Sequence, residues 1–226
     1  MRMTNCHIRS KGSLTVATVG YSTHPIEDFI RSLQAHGITR IVDVRAIPHS
    51  RHNPQYNQDC LVRTLKQAGI SYAHLPDLGG LRHALSASRN LGWRNEAFRG
   101  FADYMATPAF EEGVRKLLRF ARKGKIALMC VEAVPWACHR CLIADALLVR
   151  GIRVNHILSA WGYEPHQLTS FAKVRELHLS YPKVKRPRQT PRHTREARRE
   201  EVRLSEFGRR TGSRLRPQGK RAPAES

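Results

Sequence analysis

The sequence has no apolar run approaching the ~18 residues that a membrane-spanning helix requires, so no span is expected. Residues 1–13 lack an apolar stretch leading to a small-residue cleavage site, and no secretory signal is read there. Acidic residues are scarce: 18 Asp+Glu face 39 Lys+Arg in 226 residues, a formal net charge of +21. A charge of that size concerns partners rather than fold, with nucleic acid first, then anionic membrane or a phosphate-bearing ligand. No RNA-recognition, zinc-finger or other specific nucleic-acid motif accompanies it. A paired cysteine framework is lacking too. The five cysteines, Cys6, Cys60, Cys130, Cys138 and Cys141, are odd in number, and three lie within twelve residues. This is unlike a secreted disulfide scaffold. It points to a cytoplasmic protein, where such a cluster is metal-binding, catalytic or redox-active.

What is present is unevenly spread. Residues 181–226 hold 15 Lys+Arg against 5 Glu, with five prolines and few large apolar side chains. Such a segment cannot bury enough surface to offset chain entropy, so a disordered basic tail is expected, with a short helix near 194–207. It is either a solubilising extension or an arm for nucleic acid, gaining affinity by counterion release. Residues 1–13 are expected to be flexible. The body is basic as well: residues 1–180 carry 24 Lys+Arg and 13 Asp+Glu.

The body, residues 14–180, alternates short β-branched runs with helical periodicity. Residues 14–20 (LTVATVG) read as a buried strand. Ile26, Phe29, Ile30 and Leu33 mark a helix that Pro25 opens and Gly37 stops. Residues 38–44 form the next strand, 61–68 a helix ended by Gly69, and 70–75 a third strand before the Gly79-Gly80 turn. Residues 81–95 read as a loop. Two helices follow, separated at Pro108, then the strand 125–131, a helix over 138–150 and a last strand at 152–157. This order predicts an α/β fold, a mainly parallel sheet with helices on both faces in a Rossmann-like three-layer arrangement. In such a sheet every strand-to-helix loop leaves from the carboxyl edge, where ligands bind.

Three stretches meet at that edge. Gly20-Tyr21-Ser22 precedes a helix N-terminus, which is either an anion site or a plain tight turn. Asp43 and Arg45 end an apolar strand. They form either a structural ion pair or, with Arg51, an anion clamp. The third stretch runs from Cys130 and Glu132 to Cys138-His139-Arg140-Cys141. A thiol beside His or Arg at a helix N-terminus gains thiolate character. Four readings stay open here. Cys130, Cys138 or Cys141 with His139 and Glu132 could hold a zinc or iron ion. Cys130 could be a nucleophile with Glu132 or His139 as base and Arg140 binding an anion. Cys138 and Cys141 could be a Cys-x-x-Cys redox pair. Or the cysteines are buried and inert. Cys6 and Cys60 have no comparable company, and His24, His74 and His156 read as structural histidines.

On Thr18-Val19-Gly20-Tyr21-Ser22, Val42-Asp43-Val44-Arg45 with Pro48 and Ser50-Arg51, Leu78-Gly79-Gly80, and Leu128-Met129-Cys130 with Glu132 and Cys138-His139-Arg140, the chain resembles the domain-of-unknown-function 488 family. Gly151 and Asn155-His156-Ile157 fit the same resemblance, which covers roughly residues 14–160. It implies an α/β fold and a shared Cys/Glu/Cys-His-Arg edge. Trp136, Cys141 and the long basic tail depart from the pattern. Residues 41–45 also resemble the strand before the rhodanese active site, although the loop from Cys130 to Arg140 is longer and lacks its glycines. The leading expectation is an enzyme acting on nucleic acid or a nucleotide-like anionic substrate. Asp43, Arg45, Arg51 and Arg140 would orient the anion, and Cys130, Glu132, Cys138 and His139 would form the reactive centre. A non-catalytic nucleic-acid-binding module and a thiol redox or sulfur-transfer protein are the alternatives.

Overall fold

The computed structural model describes residues 14–183. The expected flexible N-terminus and nearly all of the basic tail lie outside the described residues. The first strand, β1 (Thr15–Gly20), is followed by α1 (Ile26–Ala35), β2 (Arg40–Asp43), α2 (Gln58–Gln67) and β3 (Ser71–His74). Then come α3 (Glu96–Tyr104), α4 (Pro108–Ala121), β4 (Ile126–Cys130), α5 (Arg140–Val149) and β5 (Arg153–Ser159). Three short strands close the described chain: β6 (Gly162–Pro165), β7 (Lys173–Arg175) and β8 (His178–Ser180). No helix among the described residues is long and apolar enough to cross a membrane.

The local causes are those expected from sequence. Gly37, Gly69 and Gly151, all at positive φ, end α1, α2 and α5. Asn95 and Thr107 cap α3 and α4 with side-chain oxygens accepting from backbone N–H groups, and Pro108 takes the first position of α4. The six-stranded sheet runs β3-β2-β4-β1-β5-β6; the first five are mutually parallel and β6 is antiparallel to β5. The fold class predicted from sequence is therefore the one observed. Alternate strand residues serve two cores. Val19, Ile41, Ala127 and Met129 pack with Phe29, Leu33, Leu61 and Leu65 of α1 and α2. Val16, Val42, Leu128 and Cys130 pack with Phe101, Val114, Leu117 and Leu142 of α3, α4 and α5.

The sequence reading did not include β6, β7 and β8, and it ended the body at residue 180. The body extends further, because Tyr181 is fully buried. The reason lies in α5, where eight of ten residues are buried. A helix apolar all round needs cover on both sides, and Phe171, Ala172 and Leu179 supply it. Polar side chains tie this cover down. Asp145, also fully buried, accepts from Tyr181 Oη at 2.8 Å, His166 Nε2 at 2.9 Å and the Thr169 backbone N–H at 3.0 Å. His166 Nδ1 meets His156 Nε2 at 2.9 Å, and His156 Nδ1 meets the Thr18 hydroxyl at 2.8 Å. One hydrogen on each imidazole satisfies the whole chain: Thr18 donates to His156, His156 to His166, and His166 to Asp145.

A second proton on His156 would force the Thr18 hydroxyl to turn from donor to acceptor. Burial first, then the neighbouring His166, pushes the His156 pKa down from 6.5 to about 4. The unfolded chain therefore takes up this proton before the folded one does. Stability is full above about pH 6.5, declines as the pH falls towards 4, and levels off below that, with a loss of at most about 3 kcal/mol. Thermal melts between pH 7.5 and 4 should show this decline, and His156→Gln should flatten it. An unaltered pH profile in that variant would contradict the assignment.

Candidate functional site

The crossovers after β1 and β2 run over one face of the sheet, and those after β3 and β4 over the other. β4 lies between β1 and β2, so its exit loop parts from both neighbours, and a crevice opens at their carboxyl ends. The loops beginning at Tyr21, Val44 and Val131 line that parting.

On the α1/α2 side, the charges are mutually satisfied. Arg45 forks onto Asp43, with Nε at 2.9 Å from Oδ1 and Nη2 at 2.6 Å from Oδ2. The Arg45 backbone N–H and Tyr72 Oη also donate to Asp43, at 3.0 and 2.8 Å. The remaining Arg45 donors reach Tyr21 Oη at 3.2 Å and the Tyr56 carbonyl at 2.9 Å. Burial works against the Arg45 charge, and Asp43 more than restores it, raising the pKa. Burial and then Asp43 raise the Tyr72 phenol. Tyr21 stacks on Tyr56 at 4.0 Å between centroids. Ser22 adopts a left-handed φ of 41°, held by its N–H to the Val131 carbonyl at 2.7 Å. His74 donates through Nε2 to the Arg45 carbonyl at 2.8 Å. Arg51 is exposed.

On the other side, the sulfurs of Cys130 and Cys138 and Nδ1 of His139 all lie within 4.8 Å of one another. His139 Nδ1 is 3.6 Å from Cys138 Sγ and 4.0 Å from Cys130 Sγ. Arg140 is fully buried. Its Nε donates to Cys138 Sγ at 3.3 Å, its Nη2 to the Glu132 carbonyl, and its Nη1 is buried without a partner. A buried guanidinium is costly unless an anion balances it. Among the described residues, Cys138 Sγ is the one group hydrogen-bonded to Arg140 that can carry a negative charge. The Cys130 thiol first, then His139 and Arg140, hold the Cys138 thiol well below its ordinary range against the opposing effect of burial. Cys130 moves the other way, pushed up by its bond to Cys138 and by burial.

Two glycines allow this packing. A Cβ on Gly20 would run into the Glu132 carbonyl and come within 2.8 Å of Arg140 Nη2. A Cβ on Gly80 would lie 2.7 Å from Cγ of the His139 ring. Phe101 holds the ring too, at 5.1 Å between centroids. The ring's Nε2 is buried without a partner.

Of the residues singled out from sequence, Cys130, Glu132, Cys138, His139 and Arg45 line one open cleft of about 380 Å³. Arg140 lies behind its wall. Glu132 contributes its carbonyl to Arg140, and its side chain is exposed. Cys141 turns away to Thr169 Oγ1 at 3.8 Å, and burial followed by Asp145 pushes its thiol up to about 12. It is not among the three residues, Cys130, Cys138 and His139, whose ligand atoms cluster. Cys60, on α2, is outside the site, and Cys6 lies outside the described residues. Sequence reasoning missed the far wall: Gly80, Leu81, Asn95 and Phe98 come from the 81–95 loop and its flanks. The Gly79-Gly80 pair was the available signal, since a close approach of backbone to a side chain calls for glycine.

Replacing Gly80 with alanine should displace the His139 ring and slow alkylation of Cys138 several-fold, with the melting temperature changed little because the obstacle is a side chain. Gly20→Ala meets backbone instead and should cost about 2 kcal/mol of stability. Mass-spectrometric labelling beside thermal melts separates the two effects, and equal behaviour of the two variants would contradict this packing.

No curated protein and no solved structure matches the chain. The family described as "Domain of unknown function DUF488" matches over residues 25–147. That span runs from the opening of α1 to the middle of α5 and takes in the Asp43–Arg45 pair and the whole cysteine edge. It is more than half of the chain, which thus belongs to the DUF488 family.

Proposed function

We propose that this protein is an enzyme whose nucleophile is the Cys138 thiolate. The observation that carries the reading is the fully buried Arg140, hydrogen-bonded to Cys138 Sγ and to no carboxylate. With Cys138 ionised and Cys130 protonated, the buried centre is electrically neutral. In the step proposed, Cys138 Sγ bonds to an electrophilic atom in the cleft as that atom's bond to its leaving group breaks. The leaving group takes the electron pair and then the Cys130 proton. His139, donating from Nδ1, steadies the thiolate.

The basic balance of residues 1–180 supports nucleic acid as a surface partner. Arg45, the arginine that lines the cleft, is in contrast already bonded to Asp43, Tyr21 and Tyr56. A polyanion is therefore not read as the group that meets the sulfur.

A second reading has one specific observation in its favour. Cys130, Cys138 and His139 offer two sulfurs and a nitrogen close together, a set that suits zinc or iron with a further position left open. Two considerations weigh against it. Two thiolates and Arg140 sum to −1, so a divalent ion would leave +1 buried unless an anion joined it. A ligating histidine also ordinarily donates from its second nitrogen, and His139 Nε2 has no acceptor.

The test is alkylation with iodoacetamide at about pH 6, read residue by residue. Cys138 should react at least about tenfold faster than an unstructured cysteine peptide, Cys141 should stay unlabelled, and Cys138→Ser should abolish the fast phase. Labelling of Cys138 no faster than Cys60 would defeat the nucleophile reading. About one zinc or iron per chain, lost in Cys130→Ser, would establish the metal reading in its place.

A further inference from the structure

The cleft's walls differ from its floor. Its rim is formed by Ile47 after β2, Leu81 after β3 and Val131 after β4, with Phe98 of α3 behind them. Ile47 and Leu81 are 65% and 71% exposed, and Val131 is 39% exposed. They come from three separate loops, yet they gather around one opening. Scattered exposed aliphatics need no explanation, but a cluster beside a nucleophile does.

The polar groups of the same cleft offer little to an anion. Arg45 is 4% exposed, and its Nε, Nη1 and Nη2 are all committed to Asp43, Tyr21 and Tyr56. Glu132 brings negative charge to the rim. Binding sites of this size, mostly apolar with few convergent polar groups, take ligands with an apolar body.

Resting on the Cys138 reading, we infer that the substrate is a small uncharged electrophile with an apolar, planar or branched body. That body lies on Ile47, Leu81, Phe98 and Val131 while its reactive atom faces the Cys138 sulfur. The pocket volume of about 380 Å³ suits a molecule of drug-like size or below. The occupant proposed is a single small molecule; the bonds that hold Arg45 to Asp43, Tyr21 and Tyr56, and the exposed Glu132, weigh against a nucleotide.

The full chain can be tested with three probes that share one chemistry: iodoacetamide, iodoacetate and N-benzyl iodoacetamide. In each, the thiolate displaces iodide and forms one S–C bond. Rates at Cys138 are divided by rates with a free cysteine peptide, which removes intrinsic reactivity. The benzyl reagent should be favoured over iodoacetamide by about tenfold, the size expected when an apolar group gains a pocket, and iodoacetate should be disfavoured. Leu81→Ser and Ile47→Ser, both at exposed positions, should each reduce the benzyl preference. Equal normalised rates for all three probes, or a preference for iodoacetate, would overturn this inference while leaving the nucleophile intact. Slow labelling of Cys138 by all three would overturn the nucleophile reading, and this inference with it.

Discussion

The site depends on one charge. Arg140 lies at the first position of α5, walled in by β1, the Glu132 carbonyl and the body of the helix. Desolvating a guanidinium costs several kcal/mol, and a carbonyl dipole cannot match it alone. A sulfur anion within 3.3 Å can. In the proposed reading the ionisation of Cys138 is tied to folding, because the same burial that makes the core calls for an anion beside Arg140, and Cys130 serves as the proton store. Glycine at position 20 is the condition for the guanidinium to fit.

Topology explains why this charge sits beside a cleft. β4 is inserted between β1 and β2, and its exit loop turns to the opposite face from theirs. The backbone parts there and cannot close over the edge. On one side of the parting the chain settles its charges as a neutral Asp43–Arg45 pair, supported by Tyr21, Tyr56 and Tyr72. On the other it leaves a cysteine sulfur facing an opening. The two arginines resemble each other in sequence context, each near the end of a strand or the start of a helix, yet one is bonded to a carboxylate and the other to a sulfur.

Much of this was legible before any coordinates. Strand and helix order followed from β-branched runs, helical periodicity and the glycine stops at 37, 69 and 151. The convergence of Cys130, Cys138, His139 and Arg140 followed from a parallel sheet having one carboxyl edge. What was not legible depends on side-chain direction. Cys138 and Cys141 are one helical turn apart in sequence, but the chain enters α5 through the turn Pro135–Ala137, which leaves Cys138 on the cleft and Cys141 on the far side. Glu132 read as a carboxylate, and it is the carbonyl that is used. β6, β7 and β8 escaped because their residues are mostly exposed and carry little periodicity. The apolarity of residues 141–149, interrupted only by Asp145, was the clue that a further layer had to exist.

That layer gives the domain a particular order of assembly. Tyr181 closes over Asp145, and its backbone N–H and carbonyl bond Asn90 and Gly92 in the loop that walls the cleft. Residues 90 and 181 stand almost half the chain apart. On a ribosome, the cleft wall and the helix bearing Arg140 are both synthesised long before the segment that fixes them. Until Tyr181 emerges, Asp103 holds the loop through Leu85, Ser88 and Asn90, and Asp145 lacks one of its donors. The wall of the cleft thus receives its last bonds near the end of synthesis of the described chain, when Tyr181 reaches Asn90, Gly92 and Asp145.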